Sequence, residues 1–127
     1  MEFYKNAHVD IDINRLQEFV TIGNLTLLCD SIYDILKDDT TQGKIHCVWG
    51  YFKVNKEILK NGVRFTLPNC PNALAWTITK EHIGEDDTIL IHCTINRAEH
   101  EPEFIQSIEQ FVSDWKSGLE KYISKNM

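Results

Sequence analysis

The sequence is poor in positive charge, in arginine above all. Only 13 lysines and arginines stand against 19 acids in 127 residues, and the arginines number three: Arg15, Arg64 and Arg97. A phosphate backbone is bound by clustered Lys and Arg. No window of this chain gathers more than two or three such residues without acids between them, so nucleic acid is not an expected partner. The same deficit argues against an anionic membrane surface. Long apolar runs are absent too; stretches such as Leu27 to Cys29 fall far short of the ~20 residues a spanning helix needs.

The N-terminus, MEFYKNAHVDIDIN, has acids where an export signal needs a basic start and an apolar stretch, so a cytoplasmic protein is expected. There Cys29, Cys47, Cys70 and Cys93, spaced by 18, 23 and 23, are expected as reduced thiols without a C-x-x-C pair. Dinucleotide, phosphate-loop, zincin and nucleophile-elbow motifs are all missing. No catalytic residue, metal or cofactor is therefore expected, and the balance leans away from an enzyme.

What is present reads as one ordinary domain spanning 1–127. Hydrophobic residues are 43% and charged residues 25%, the usual proportions of a folded globular chain. A first helical region begins after Asp12 or Asn14, either a good N-cap, and its apolar stripe runs through Leu16, Phe19 and Val20 to Ile32, Ile35 and Leu36. The stripe shifts near Gly23 and Asn24, which predicts a kink or two abutting helices, and the polar run from Lys37 to Gly43 ends the region. Ahead of it, His8 to Ile13 alternates like a short edge strand.

From Lys44 the run IHCVWGYFKV alternates and is rich in β-branched and aromatic residues, which predicts a strand. Asn61-Gly62 predicts either a tight hairpin or the cap of a helical turn over 55–60. Val63 to Leu67, Ala73 to Lys80 and Thr88 to Asn96 follow as strands with one apolar face each. After Pro102 the apolar residues Ile105, Ile108, Val112, Trp115, Leu119 and Tyr122 step by three and four, widened by Phe104 and Phe111. That is a helix made to lie across a sheet. The expected fold is α+β, a two-layer sandwich whose antiparallel sheet of four to five strands carries N-terminal and C-terminal helices on one face.

Four clusters carry whatever chemistry the sequence offers. The doubled Ile-His-Cys triplets at 45–47 and 91–93 suggest a metal site, but neighbours on a strand face opposite ways, so Cys47 and Cys93 are expected inside and His46 and His92 outside. At the last strand's handover to the helix, Asn96, Arg97 and His100 form a candidate anion site, with His92 and His46 as further candidate ligand-binding residues. Glu99, Glu101 and Glu103 compete for the same positive end. Cys70, in the turn Pro68 to Asn72, is the thiol expected to be most exposed, with no cation close to it in sequence. Asp10-x-Asp12-x-Asn14 copies the start of a calcium loop, but Arg15 and Thr21 stand where Gly and Glu belong.

Two readings follow. The leading one is a protein-binding or adaptor module that uses exposed sheet or helix surface to bind a second copy of itself or another protein. The other is a small-ligand domain, for an anion, or a modest enzyme, with its pocket beside Asn96 and Arg97. A cavity joining Arg97 to a strand histidine favours the second; a filled interior and an exposed apolar patch favour the first.

Overall fold

A computed structural model describes the chain except residues 84, 85, 97–99 and 127, and the side chains of 83, 86 and 124–126. Strand β1 (Glu2–Ala7) leads through helix α1 (Ile13–Phe19), a 3-10 turn (Ile22–Asn24) and the single-turn helix α2 (Leu25–Leu28). Six strands follow: β2 (Ile32–Asp38), β3 (Gln42–Cys47), β4 (Gly50–Leu59), β5 (Gly62–Thr66), β6 (Ala75–Ile83) and β7 (Asp86–Thr94). Helix α3 (Pro102–Asn126) closes the chain. The seven strands form one antiparallel sheet in the order β1-β7-β6-β5-β4-β3-β2. The chain thus crosses from one edge to the other through the small helices, then meanders back until β7 lies beside β1.

The α+β class and the terminal helix match the sequence reading; the strand count is seven, not four or five. One added strand is β1, which lies upstream of the expected edge strand at 8–13. Another is β2, where a helix was expected as far as Leu36. The reason is local: β2 shifts register between Ile32 and Asp34 and again between Ile35 and Lys37. Each shift inserts one residue, so the inward positions Ile32 and Ile35 fall three apart, the spacing of a helix rather than of a flat strand. The run from Ile45 to Val54 is likewise two strands, folded back at Val48-Trp49 with Gly50 at φ 120°. Asn61 sits in the β4–β5 hairpin, where Leu59 pairs with Gly62. A Cβ at Gly62 would lie 2.0 Å from the Ile78 carbonyl oxygen, so glycine serves the close approach of β6.

Asp12 caps α1, its Oδ1 accepting from the Arg15 amide at 2.8 Å, which gives the calcium-like acids their structural role. The inner face of the sheet carries Ile45, Cys47, Val54, Val63, Phe65, Trp76, Ile78, Ile91 and Cys93, all buried. Against them α3 lays Ile108, Phe111, Val112, Trp115, Leu119 and Ile123, also buried. The stripe thus packs across the sheet as its width predicts, and the support it would lend a dimer if left uncovered falls away. Among the described residues no helix is long and apolar enough to cross a membrane.

Candidate functional site

Strands β3, β5 and β7 run in the same direction, so their C-terminal ends lie together at one end of the sandwich, where α3 also begins. Trp49, just beyond β3, reaches α3: its indole N–H donates to Ser107 Oγ at 2.8 Å, and its ring lies 5.0 Å from Phe111 and 6.2 Å from Phe104. The His100 ring sits 5.1 Å from Phe104. The exposed Asn96 joins the β5–β6 turn through its amide, which donates to the Asn72 carbonyl at 3.0 Å. Arg97 lies outside the described residues. Asn96 and His100 both lie at this end of the molecule.

The strand histidines do not join them. His46 on β3 and His92 on β7 both point to the outer face, with β4, β5 and β6 between their strands. Each is tied down there: His46 stacks on Tyr51 at 4.3 Å and lies 3.4 Å from Asp34, while His92 stacks on Tyr4 at 4.4 Å and lies 3.0 Å from Glu2. Strand alternation separates each histidine from the neighbouring cysteine, as the sequence implies. No set of three or more metal-binding side chains converges among the described residues.

The thiols face inward. Cys47 and Cys93 line the inner sheet at the β3 and β7 ends, and Cys70 in the turn between β5 and β6 lies close enough for its charge to bear on both. Burial pushes the Cys93 thiol up to about 12 and raises Cys47 and Cys29 as well. Such thiols stay protonated near neutral pH and are poor nucleophiles. Cys70 is half-buried and the other three are buried. Iodoacetamide is therefore expected to label Cys70 alone in the native protein, and Cys29, Cys47 and Cys93 only after denaturation. Peptide mass spectrometry reads this directly, and labelling of Cys93 as fast as Cys70 would contradict the closed packing.

Behind this end, aromatic rings occupy the space between sheet and helix. Phe65 stacks with Trp76 at 5.2 Å, Trp76 meets Phe111 at 5.0 Å, and Trp115 lies 6.3 Å from Trp76. Trp76 and Trp115 are buried, and neither indole N–H has an acceptor among the described residues. A buried donor without an acceptor costs about 1–3 kcal/mol, so two of them in one apolar region form the strongest polar anomaly of the inner layer. The periodicity of both tryptophans marks them only as core, so nothing in the spacing singles out their indole donors.

With this geometry in hand, the architecture can be compared with solved structures. A START superfamily protein from Mycobacterium smegmatis superimposes with a TM-score of 0.71 at 10% identity, over 99% of each chain. The fold matches START and Bet v1-like neighbours. The protein XoxI from Bacillus cereus gives a TM-score of 0.68 at 14% identity over 97% of this chain and 95% of that one. Ara h 8.0201 gives 0.65 at 14% identity over 99% of both. At such identities the likeness is one of fold alone. No family model matches the sequence, and no curated protein matches it.

Proposed function

We propose that the protein binds a small, largely apolar molecule carrying a hydrogen-bond acceptor, held between the inner face of the sheet and α3. The observation that carries this reading is the pair of buried indole donors, Trp76 Nε1 and Trp115 Nε1, without acceptors among the described residues. A carbonyl, hydroxyl or carboxylate oxygen of a ligand would satisfy them, and the surrounding rings offer flat apolar contact. The lining differs from the anion pocket expected at Asn96 and Arg97: it is aromatic and carries raised thiols. That chemistry favours binding over catalysis.

Native mass spectrometry of the purified protein, followed by NMR of the indole N–H resonances during titration with 8-anilinonaphthalene-1-sulfonate, tests the reading. The expected result is a retained small molecule or movement of the Trp76 and Trp115 resonances by the probe. Binding should weaken at least about tenfold in a Trp76→Phe/Trp115→Phe variant, a loss of about 1.4 kcal/mol. A protein that carries nothing, and whose two indoles ignore the probe, would refute it.

A second reading, the protein-binding module, is favoured by a separate observation. Tyr33, Leu36, Val48 and Tyr51 are 51%, 54%, 41% and 68% exposed and lie toward the β2 edge of the sheet, Tyr33 and Leu36 on β2, Val48 in the β3–β4 turn and Tyr51 on β4. Contiguous exposed apolar surface of this kind marks an interaction site.

A further inference from the structure

The register of β2, β3 and β4 builds a row that the linear sequence hides. Lys37 on β2 pairs with Lys44 on β3, and Lys44 pairs with Lys53 on β4. Three ammonium side chains therefore stand side by side on one exposed face. Like charges directly opposite on a sheet repel and cost stability. In a chain with 13 bases against 19 acids, there is ample acid to avoid this arrangement. Lys37 has a partner in Asp39 at 3.3 Å, but both side chains are 58% exposed, so that pair does little to neutralise the row. No salt bridge engages Lys44 or Lys53 among the described residues.

The next row on the same face is Asp34, His46 and Tyr51. The two bulges of β2 add Tyr33, whose ring meets His46 edge-on at 5.4 Å, and Leu36. Leu36, Tyr51, Lys44, Lys53 and Asn69 line one shallow apolar groove of about 190 Å³. Cations and exposed apolar groups are thus interleaved on the corner that the protein-binding reading uses.

We infer that this corner docks a protein segment that combines acidic side chains with aromatic or aliphatic ones. The inference deepens the protein-binding reading and rests on it. The carboxylates would lie along the lysine row and the apolar side chains beside Tyr51 and Leu36. The segment lies across the face, because the bulged edge of β2 is a poor template for an added strand. A long polyanion or an anionic bilayer would also meet the remainder of the chain, which is more acidic than this corner, so a short acidic segment fits best.

The full-length protein is titrated with a random copolymer of glutamate and tyrosine, and the contacts are mapped by amide NMR. The copolymer should bind, weaken with added salt and perturb β2, β3 and β4. Lys44→Glu/Lys53→Glu should weaken it at least tenfold and Tyr51→Ala severalfold. The single variant Lys44→Glu turns two repulsions into two attractions and should melt at or above the wild-type temperature while binding more weakly. A lower melting temperature, or unchanged binding in the double variant, overturns the inference. So does tighter binding of oligothymidylate, or of phosphatidylserine and phosphatidylcholine vesicles, than of the copolymer. Perturbations confined to another face overturn the lysine row and leave the protein-binding reading standing; no perturbation by any of these probes removes both.

Discussion

Gly118→Ala is expected to destabilise the fold by about 2–3 kcal/mol, lowering Tm by roughly 10 °C. Gly118 sits within α3, where replacing glycine by alanine ordinarily gains about 1 kcal/mol through helix propensity. Here a Cβ would lie 2.0 Å from the Leu28 carbonyl oxygen and 2.5 Å from its carbonyl carbon. Both are backbone atoms at the end of α2, so relief requires moving α2 away from α3 rather than turning a side chain. The packing term opposes the propensity term and exceeds it. Gly23→Ala, in the 3-10 turn, is the contrasting case, because its Cβ would crowd no backbone atom but the tip of the Asp38 side chain, at 2.9 Å, which can swing aside. Thermal melts of the two variants should diverge. A Gly118→Ala protein as stable as wild type would mean that α2 shifts freely.

The helical layer is only partly legible in the sequence. The terminal helix announces itself, since its apolar residues repeat every three or four positions and all of them serve one face. The strands from Gly62 onward were equally plain, because an unbroken pleat puts Trp76 and Ile78, or Ile91 and Cys93, on the same side. Residues 32–36 misled for a definite reason. A bulge changes the spacing of inward residues from two to three, and only the partner strand reveals that the chain is extended. The lysine row was hidden by the same register, since Lys37, Lys44 and Lys53 come together only when β2 and β4 flank β3. Alternation alone, by contrast, placed Cys47 and Cys93 inside and His46 and His92 outside. That Trp76 and Trp115 find no acceptor among the described residues cannot be read from spacing, because an indole's partner depends on packing among β6, β5 and α3.

The two surfaces divide the molecule by chemistry. The inner layer is apolar, carries thiols raised by burial and holds two indole donors without acceptors among the described residues. The outer corner sets the row Lys37, Lys44 and Lys53 beside exposed apolar groups, with Asp34 and Asp39 at its margins, and it is open. Neither set of residues contacts the other directly across the sheet, because strand alternation sends Cys47 in and His46 out. Substitutions on the outer corner should therefore leave the binding proposed at Trp76 and Trp115 unchanged, additivity being the rule for separate sites.

Alkaline pH should unfold the protein through the same thiols that make the interior apolar. Burial, with the charge of Cys70 as a smaller contribution, raises Cys93 from an ordinary value of 9.0 to about 12. The folded chain thus holds its proton where the unfolded chain releases it. Stability from this source is complete below about pH 9 and is lost as pH rises from 9 toward 12, at about 1.4 kcal/mol per pH unit for one thiol. Cys93 alone therefore costs up to about 4 kcal/mol by pH 12, a large share of the 5–15 kcal/mol that holds a typical domain folded. Cys29, whose Sγ–H donates to the Phe111 carbonyl at 3.7 Å, and Cys47 shift in the same direction. Cys93→Ala isolates the effect from other groups that titrate in this range. The variant loses buried sulfur and should be about 1 kcal/mol less stable near neutrality. Lacking the thiol, it should overtake wild type near pH 10 and exceed it clearly at about pH 11. Urea midpoints of the two proteins across that range measure the crossing, and parallel curves would show that Cys93 ionises in the folded state as easily as in the unfolded one.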